Sequence, residues 1–476
     1  TKVDAYLQNT VVVVTESVTI SADAMNTANT HAAGGAFGAI AAGAMIADIN
    51  IGRGTGTDEI TAGVGDNTSI AAGTLSISAT GNNTLRSQTI AASGGLVAIA
   101  GADSNISSDS ASLASIGENV DITVTTLSVN SVNSQNFDSG ADAVAFGLGA
   151  GTGAGATNYM NTRANVDVGV GSGSDTRVDA DAIYIKAVNI FDKNAYGATG
   201  ENLNSGSAGG VAINILASST DIISDAVIDI GQDSYLTAFG NNENPGVIEI
   251  ESIISGSATD VVRVESVAGF GVSAGLSRVE FDGDTEINLD GATIENKSGN
   301  VLLATSTNSE LRPSANLFSA GAVTGAAADV DAINHVSNKV TVTDTFLKGS
   351  DIDLRAGRNT TGVSDLLEAS ANAEITTVSL VGIAVPVVTA DIDENNTINI
   401  AGTSNIQALQ DVNLLTHTGI GQERASTDGL ALSISLIPYG MEVPDGASDT
   451  PINTVTIGNN AHIEAGLNNM SAVRIL

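Results

Sequence analysis

The chain has 476 residues, no cysteine and a formal net charge of −36, from 53 Asp and Glu residues against 17 Lys and Arg residues. This acidity argues against nucleic acid and anionic lipid as partners, because both carry the same sign of charge. The lack of cysteine excludes thiol catalysis, thiolate metal sites and disulfides, and no stretch reaches the roughly 20 apolar residues of a membrane-spanning helix.

A short phrase of alternating apolar and polar residues returns along the chain. Clear copies begin at Leu75, Leu127, Ile183, Ile248 and Ile352, and weaker copies begin at Val18, Val301, Val412 and Met470. Successive copies start about 51 to 65 residues apart, and this recurrence predicts about nine degenerate repeats of one structural unit. Nothing marks a domain boundary, so we expect one continuous body over residues 1–476, excerpted from a longer repetitive chain.

Two further strand-like phrases precede this one within a repeat. The first begins at Ile49, Val166, Ile228, Ile287, Val340, Ile398 and Val455, and the second at Ile70, Val178, Ile294, Ile406 and Ile463. The apolar residues recur with period two, many are β-branched, and Gly, Asn or Asp stands at the corners. This pattern predicts short strands separated by turns.

The rest of each repeat is rich in Gly and Ala, as in 92–100 and 208–215. Three short strands fill about 25 residues, the length of one coil of a parallel β-helix. We therefore predict an all-β parallel β-helix, or β-solenoid, with two coils per repeat. About 17 coils at about 4.8 Å would give a rod about 80 Å long. A helix over 41–47 is disfavoured by the period-two spacing, and a tandem array of β-sandwiches is the alternative.

Two acidic clusters are candidate Ca²⁺ sites, because carboxylate oxygens are ligands that this ion prefers. The first contains Asp282 and Asp284 with Glu280 and Glu286, and the second contains Asp391, Asp393 and Glu394. Neither matches the EF-hand loop or the glycine-aspartate nonapeptide of other Ca²⁺-binding β-rolls. Ca²⁺ is the only cofactor that the sequence suggests.

A polar residue stands between the two apolar positions of the first phrase. These residues are Asn50, Asp167, Asp229, Asn288, Thr341, Asn399 and Thr456. They predict an outward-facing column that either solvates the surface or recruits Ca²⁺. With two coils per repeat, its members would lie about 10 Å apart, too far to share one ion.

Other apparent motifs lack the context that their chemistry needs. The segment 271–275 has the spacing of a hydrolase nucleophile elbow without the strand-turn-helix setting. The Gly-rich segment 147–155 lacks the Lys of a P-loop. The histidines are far apart in the sequence and form no zinc-binding pair; they are His31, His335, His417 and His462. We expect no enzymatic activity.

The repeat style, the acidity and the absence of Cys resemble the large repetitive surface proteins of bacteria, the filamentous-haemagglutinin-like and β-strand-repeat adhesins. The resemblance implies an extracellular structural or adhesive role, as a cell-surface fibre, sheath or stalk. It implies that the partners are other copies of this chain, neighbouring repeats of the same long chain, or components of the cell surface or matrix. It implies neither nucleic-acid binding nor membrane insertion. The alternative is a β-helix protein that binds or degrades polysaccharide, although Trp is absent and aromatic residues are scattered.

Overall fold

The computed structural model describes residues 2–52, 58–171, 175–194, 202–240, 244–416, 423–440, 446–466 and 472–475. These residues form strands and turns, with no helix among them and hence none able to cross a membrane. The strands are β1 (Lys2–Leu7), β2 (Val11–Val13), β3 (Ser17–Phe37), β4 (Ile40–Ile51), β5 (Asp58–Val64), β6 (Ser69–Gly94), β7 (Val97–Ile116), β8 (Asp121–Val168), β9 (Thr176–Ala180), β10 (Ala182–Lys193), β11 (Leu203–Ile230), β12 (Ser234–Ala238), β13 (Val247–Asp290), β14 (Thr293–Asn296), β15 (Asn300–Thr343), β16 (Phe346–Gly349), β17 (Ile352–Ala356), β18 (Leu367–Ala401), β19 (Asn405–Ala408), β20 (Val412–Thr416), β21 (Glu423–Gly440), β22 (Gly446–Ile457), β23 (His462–Ala465) and β24 (Val473–Ile475).

All the strands belong to one sheet, and the pairs of strands in it are parallel. Within the paired strands, a residue pairs with its equivalent in the next repeat, as Val301 does with Ile352 and Lys186 with Glu251. We call the stretch between a residue and its next partner a layer, and a set of residues paired through successive layers a column. One column passes through nine layers and contains Lys2, Glu59, Ala111, Arg163, Asp225, Asp284, Ser337, Asn395 and Ile452. The predicted all-β class with a large parallel sheet is confirmed.

The prediction of two coils per repeat is wrong. A coil of about 25 residues would pair positions about 25 apart, whereas the observed register advances by a whole repeat. The Gly- and Ala-rich remainder of each repeat is therefore the far half of the same layer. The nine layers span about 40 Å at about 4.8 Å each, rather than the expected length of about 80 Å.

Apart from the number of coils per repeat, the predicted strands pair with their equivalents in neighbouring repeats. Eight of the nine anchors stack in one column, which contains Val18, Leu75, Leu127, Ile183, Ile248, Val301, Ile352 and Val412. Val473 continues this column, and the ninth anchor, Met470, lies outside the described residues. Ile49 is the exception among the first phrases, because it pairs with Ile106 in a different column from Val166.

Each layer consists of a run out to a bend and a run back. In the second layer, β6 leads out and β7 returns, with the bend at residues 95 and 96. Alternate side chains of both strands point inward, and the buried hydroxyls of Ser87 and Ser104 meet across the interior at 2.7 Å. The core is therefore thin. It consists mainly of Ala, Val, Ile and Leu in columns that follow the stacking direction.

Glycine occupies the bend in several layers because backbones approach closely there. Gly147 pairs with Gly209 in the next layer. A Cβ atom placed on Gly209 would lie 1.8 Å from the carbonyl oxygen of Gly147, and one on Gly95 would lie 1.9 Å from that of Gly38. No side chain fits at these positions unless the layers move apart.

We predict that Gly209→Ala destabilises the protein by about 1–3 kcal/mol, because the new methyl group must displace backbone of the preceding layer. The urea midpoint and slope would measure the change. Gly206→Ala is the matched control on the same strand, because a Cβ atom there meets nothing within 4 Å. Equal effects of the two substitutions would contradict close backbone approach at the bend.

Candidate functional site

A groove on the outer surface brings together the two acidic clusters that the sequence predicted as separate sites. Asp282 of β13 pairs with His335 of β15, which pairs with Asp393 of β18, which pairs with Thr450 of β22. Four neighbouring layers thus place these side chains in one column. The groove has a volume of about 600 Å³, and Asp284, Ser337, Asn395 and Ile452 also line it.

His335 lies between the carboxylates of the layers on either side. Its Nδ1 is 2.9 Å from Oδ1 of Asp282, and its Nε2 is 3.7 Å from Oδ2 of Asp393. The imidazole is partly exposed, as are both carboxylates. A single histidine therefore links two acidic positions that would otherwise face each other across one layer.

The same side chains form two candidate metal-binding groups. Glu280, Asp282 and His335 each place a ligand atom within 4.8 Å of the others, and so do His335, Asp391 and Asp393. A set that mixes imidazole with carboxylates suits Zn²⁺ and other transition metals better than Ca²⁺, which takes oxygen ligands. The nitrogen ligand in the middle of the groove therefore weighs against the Ca²⁺ prediction.

Three residues of the predicted Ca²⁺ clusters belong to neither of these two groups: Asp284, Glu286 and Glu394. Asp284 and Glu394 nevertheless line the groove. Burial is the largest cause that raises the pKa of the Asp284 carboxyl. Glu286 lies 3.7 Å from Nζ of Lys339 in the next layer. Glu394 is 1% exposed and points to the interior, because it alternates with Asp393 along β18. The structure thus separates Glu394 from Asp391 and Asp393.

Glu394 belongs instead to a group of acids near the end of the stack. Burial raises the pKa of Glu423 to about 9, together with hydrogen bonds and charge repulsion from Glu394 and Asp449. A carboxyl with this pKa is protonated at neutral pH and can donate a hydrogen bond to a neighbouring carboxylate. A shared proton would therefore reduce the repulsion among these acids.

The column of polar residues predicted from the first strand phrase is present in the structure, but one predicted member and the predicted spacing are wrong. Asp167, Asp229, Asn288, Thr341, Asn399 and Thr456 pair in succession. Asn50 does not belong, because it pairs with Ser107 in another column. Successive members are one layer apart, about 4.8 Å, so the expected separation of about 10 Å is wrong.

Burial and, to a smaller extent, this close spacing raise the pKa of the first carboxyl of the column. Burial raises the pKa of Asp167 to about 6, and repulsion from Asp229 adds to the effect. Asn288 then donates from Nδ2 to Oδ1 of Asp229 at 3.0 Å. The amide ends the run of acids, so only two carboxylates stack directly in this column.

We predict that Asp167→Asn stabilises the protein at about pH 8, by roughly 1–3 kcal/mol, and has little effect at about pH 4. The folded protein holds the Asp167 proton more tightly than the unfolded chain, whose carboxyl has a pKa of 3.8. Ionisation therefore costs stability as the pH rises from about 4 through about 6.

Urea unfolding at both pH values would measure this difference. Asp121→Asn is the control, because Asp121 is exposed at the start of β8. A gain at pH 8 no larger than that of Asp121→Asn would contradict the repulsion between Asp167 and Asp229.

The other sequence motifs lie in ordinary strand. Ser273 of the elbow-like segment is 1% exposed in the middle of β13, with no helix after it in the described part of the chain. The segment 147–155 lies on β8 at and beyond the bend. His31 lies on β3, His462 lies 3.6 Å from Glu464, and His417 falls outside the described residues.

Sequence reasoning missed the role of His335, which we expected to be an isolated histidine. Asp282 stands one repeat before it in the sequence, and Asp393 stands one repeat after it. Had each repeat been assigned to a single layer, this spacing would have placed the three residues together.

Comparisons with known proteins do not identify the chain. No protein-family model, curated protein or solved structure matches it. The resemblance to bacterial adhesins therefore depends on the character of the sequence alone.

Proposed function

We propose that the chain is a β-solenoid of about nine coils, one per sequence repeat. The support is the register, in which parallel pairing advances by one repeat at every layer. The buried apolar columns support it as well, because each repeat stacks its Ile, Val and Leu on equivalents in the next.

We propose that this solenoid is a structural or adhesive segment of an extracellular protein, exposed at a bacterial cell surface. One observation carries the proposal: a single hydrogen-bonded ladder connects the layers from Lys2 to Ile452. Such a ladder gives stiffness along the stacking direction, and each layer adds stability through its neighbours. The net charge of −36 keeps such a body soluble.

A second candidate function is binding of a polysaccharide or another polar ligand in the acidic groove. Asp282 and Asp393 are two layers apart, about 9.6 Å, near the separation that inverting glycosidases use. His335 occupies the space between them, where a glycosidase needs room for substrate and water. The arrangement therefore favours binding over hydrolysis.

Aromatic side chains weigh against a sugar-binding platform within the described residues. None of the described residues that line the acidic groove is aromatic, and the exposed Phe37, Phe146 and Phe270 lie outside it. Sugar recognition usually uses exposed aromatic faces. The structural role is therefore the better supported of the two.

Immunogold electron microscopy of intact source cells would test the proposed location. We expect antibodies against the purified chain to label the outside of unpermeabilised cells, with negatively stained chain appearing as uniform elongated particles. Labelling only after permeabilisation would contradict an extracellular role. An antibody against a cytoplasmic protein is the control for intact cells.

A glycan array probed with the purified chain would test the alternative. If the groove binds sugar, His335→Ala should abolish the signal while His31→Ala retains it, because His31 lies outside the groove. Binding that survives His335→Ala would exclude the groove as the sugar site.

A further inference from the structure

An exposed apolar strip runs along the bends of the layers. We call it the apolar edge. It consists of the outward-facing side chains of eight paired segments: 35–42, 92–99, 144–151, 206–213, 265–272, 318–325, 376–383 and 432–437. Leu148, Phe270 and Leu380 on this edge are 55 to 69% exposed. A contiguous apolar surface of this length marks an interaction site more often than a free surface.

At the apolar edge the large apolar side chains face outward, whereas a half-exposed sheet normally turns them inward. An inward-facing column beneath it contains only small or hydroxyl side chains: Ser93, Ala145, Ser207, Ser266, Ser319 and Thr377. The large side chains at the bend therefore add little to the protein's own core and are available to a partner.

We propose that the apolar edge packs against the apolar edge of a second copy of this chain. This inference rests on the proposed structural role and gives it a contact surface. The copies would lie side by side, with their stacking directions aligned along the contact.

The charge distribution favours this occupant. Seven of the eight segments that form the edge contain no Asp, Glu, Lys or Arg, and the eighth contains Glu265, which is paired with Arg263 at 2.6 Å. The chain as a whole carries −36, so two copies repel each other over most of their surfaces. Contact along the uncharged edge keeps the acidic faces apart.

The shape of the edge is also suited to a second copy. One column alternates large and small residues in four successive layers: Phe146, Ala208, Val267 and Ala320. Protruding side chains thus repeat about every 9.6 Å, with hollows between them. An identical edge has the same period, so a shift of one layer seats the protruding side chains of one copy in the hollows of the other.

The available area is adequate for a stable contact. Eight layers at about 4.8 Å give a strip about 38 Å long, and a width of about 20 Å gives roughly 800 Å² per copy. That figure is typical of each partner in a specific protein complex.

Sedimentation velocity of the whole chain, from roughly 1 to 100 µM, would test the proposal. We expect self-association that strengthens with added salt, because salt screens the repulsion between acidic faces. The triple variant Leu148→Gln, Phe270→Gln, Leu380→Gln should weaken association by roughly 100-fold or more, since each substitution removes an apolar contact.

The matched control replaces Met25, Ile46 and Val170 with Gln, because these residues are 51 to 80% exposed but lie away from the apolar edge. It should leave association unchanged, and urea midpoints should show that both triple variants remain folded. Monomers at every concentration, or equal weakening by both triple variants, would overturn the proposal.

Cross-linking would locate the contact, because the natural chain contains no cysteine. With a short thiol-specific cross-linker we expect covalent dimers from Leu148→Cys but not from Met25→Cys. The reverse pattern would overturn the proposal.

Flotation with neutral phosphatidylcholine vesicles would test lipid as the alternative occupant. If the monomer floats with the vesicles, the edge binds lipid and the proposal is overturned. None of these measurements depends on where the protein resides, so they can fail while the surface-labelling experiment succeeds.

Discussion

Parallel hydrogen bonding between layers is the constraint on which the rest of this structure depends. A strand residue meets its partner one repeat later, so the side chains of the paired strands form columns of equivalent positions. The layers differ in length without breaking the columns. Lys193 pairs with Phe137 of β8, and Leu203 pairs with Ala141 of the same strand. Nine residues separate Lys193 from Leu203 in the sequence, whereas three separate Phe137 from Ala141, and the ladder resumes in register at Leu203. Variation is therefore confined to connections between paired strands.

Polar side chains inside the stack help to fix this register. Thr285, Asn338, Asn396 and Asn453 form one column, in which Nδ2 of Asn338 donates to Oδ1 of Asn396 at 2.8 Å and Nδ2 of Asn396 donates to Oδ1 of Asn453 at 3.1 Å. Ala and Ser elsewhere in the core discriminate weakly between alternative alignments, because their volumes are similar. A slip of one residue would move these amides out of line and leave polar groups unpaired, at a cost of about 1–3 kcal/mol each.

The sequence predicted the strands better than their partners. Alternating β-branched residues are a local signal, and the anchors from Val18 to Val412 are in register for that reason. The number of coils per repeat is not local, because it depends on which segments pair. The Gly-Gly bend at residues 209 and 210 looks like any turn, and only the pairing of Gly209 with Gly147 shows that it is the far end of a long layer. The acidic groove was missed for the same reason, since a single histidine carries no local signal of the carboxylates one repeat away.

Stacking also explains how so acidic a chain can form a ladder with layers about 4.8 Å apart. A column of like charges at that spacing would be destabilising, and repulsion from Asp229 adds to the burial that raises the pKa of Asp167. The chain limits it by alternating residue types: Asn288 follows Asp229, Lys339 follows Glu286, and His335 separates Asp282 from Asp393. Near the bends charged residues are nearly absent, and Glu265 is the one that the eight segments of the apolar edge contain. Salt should therefore act twice in the same direction, by relieving repulsion within the acidic columns and by allowing the uncharged edges of two copies to meet.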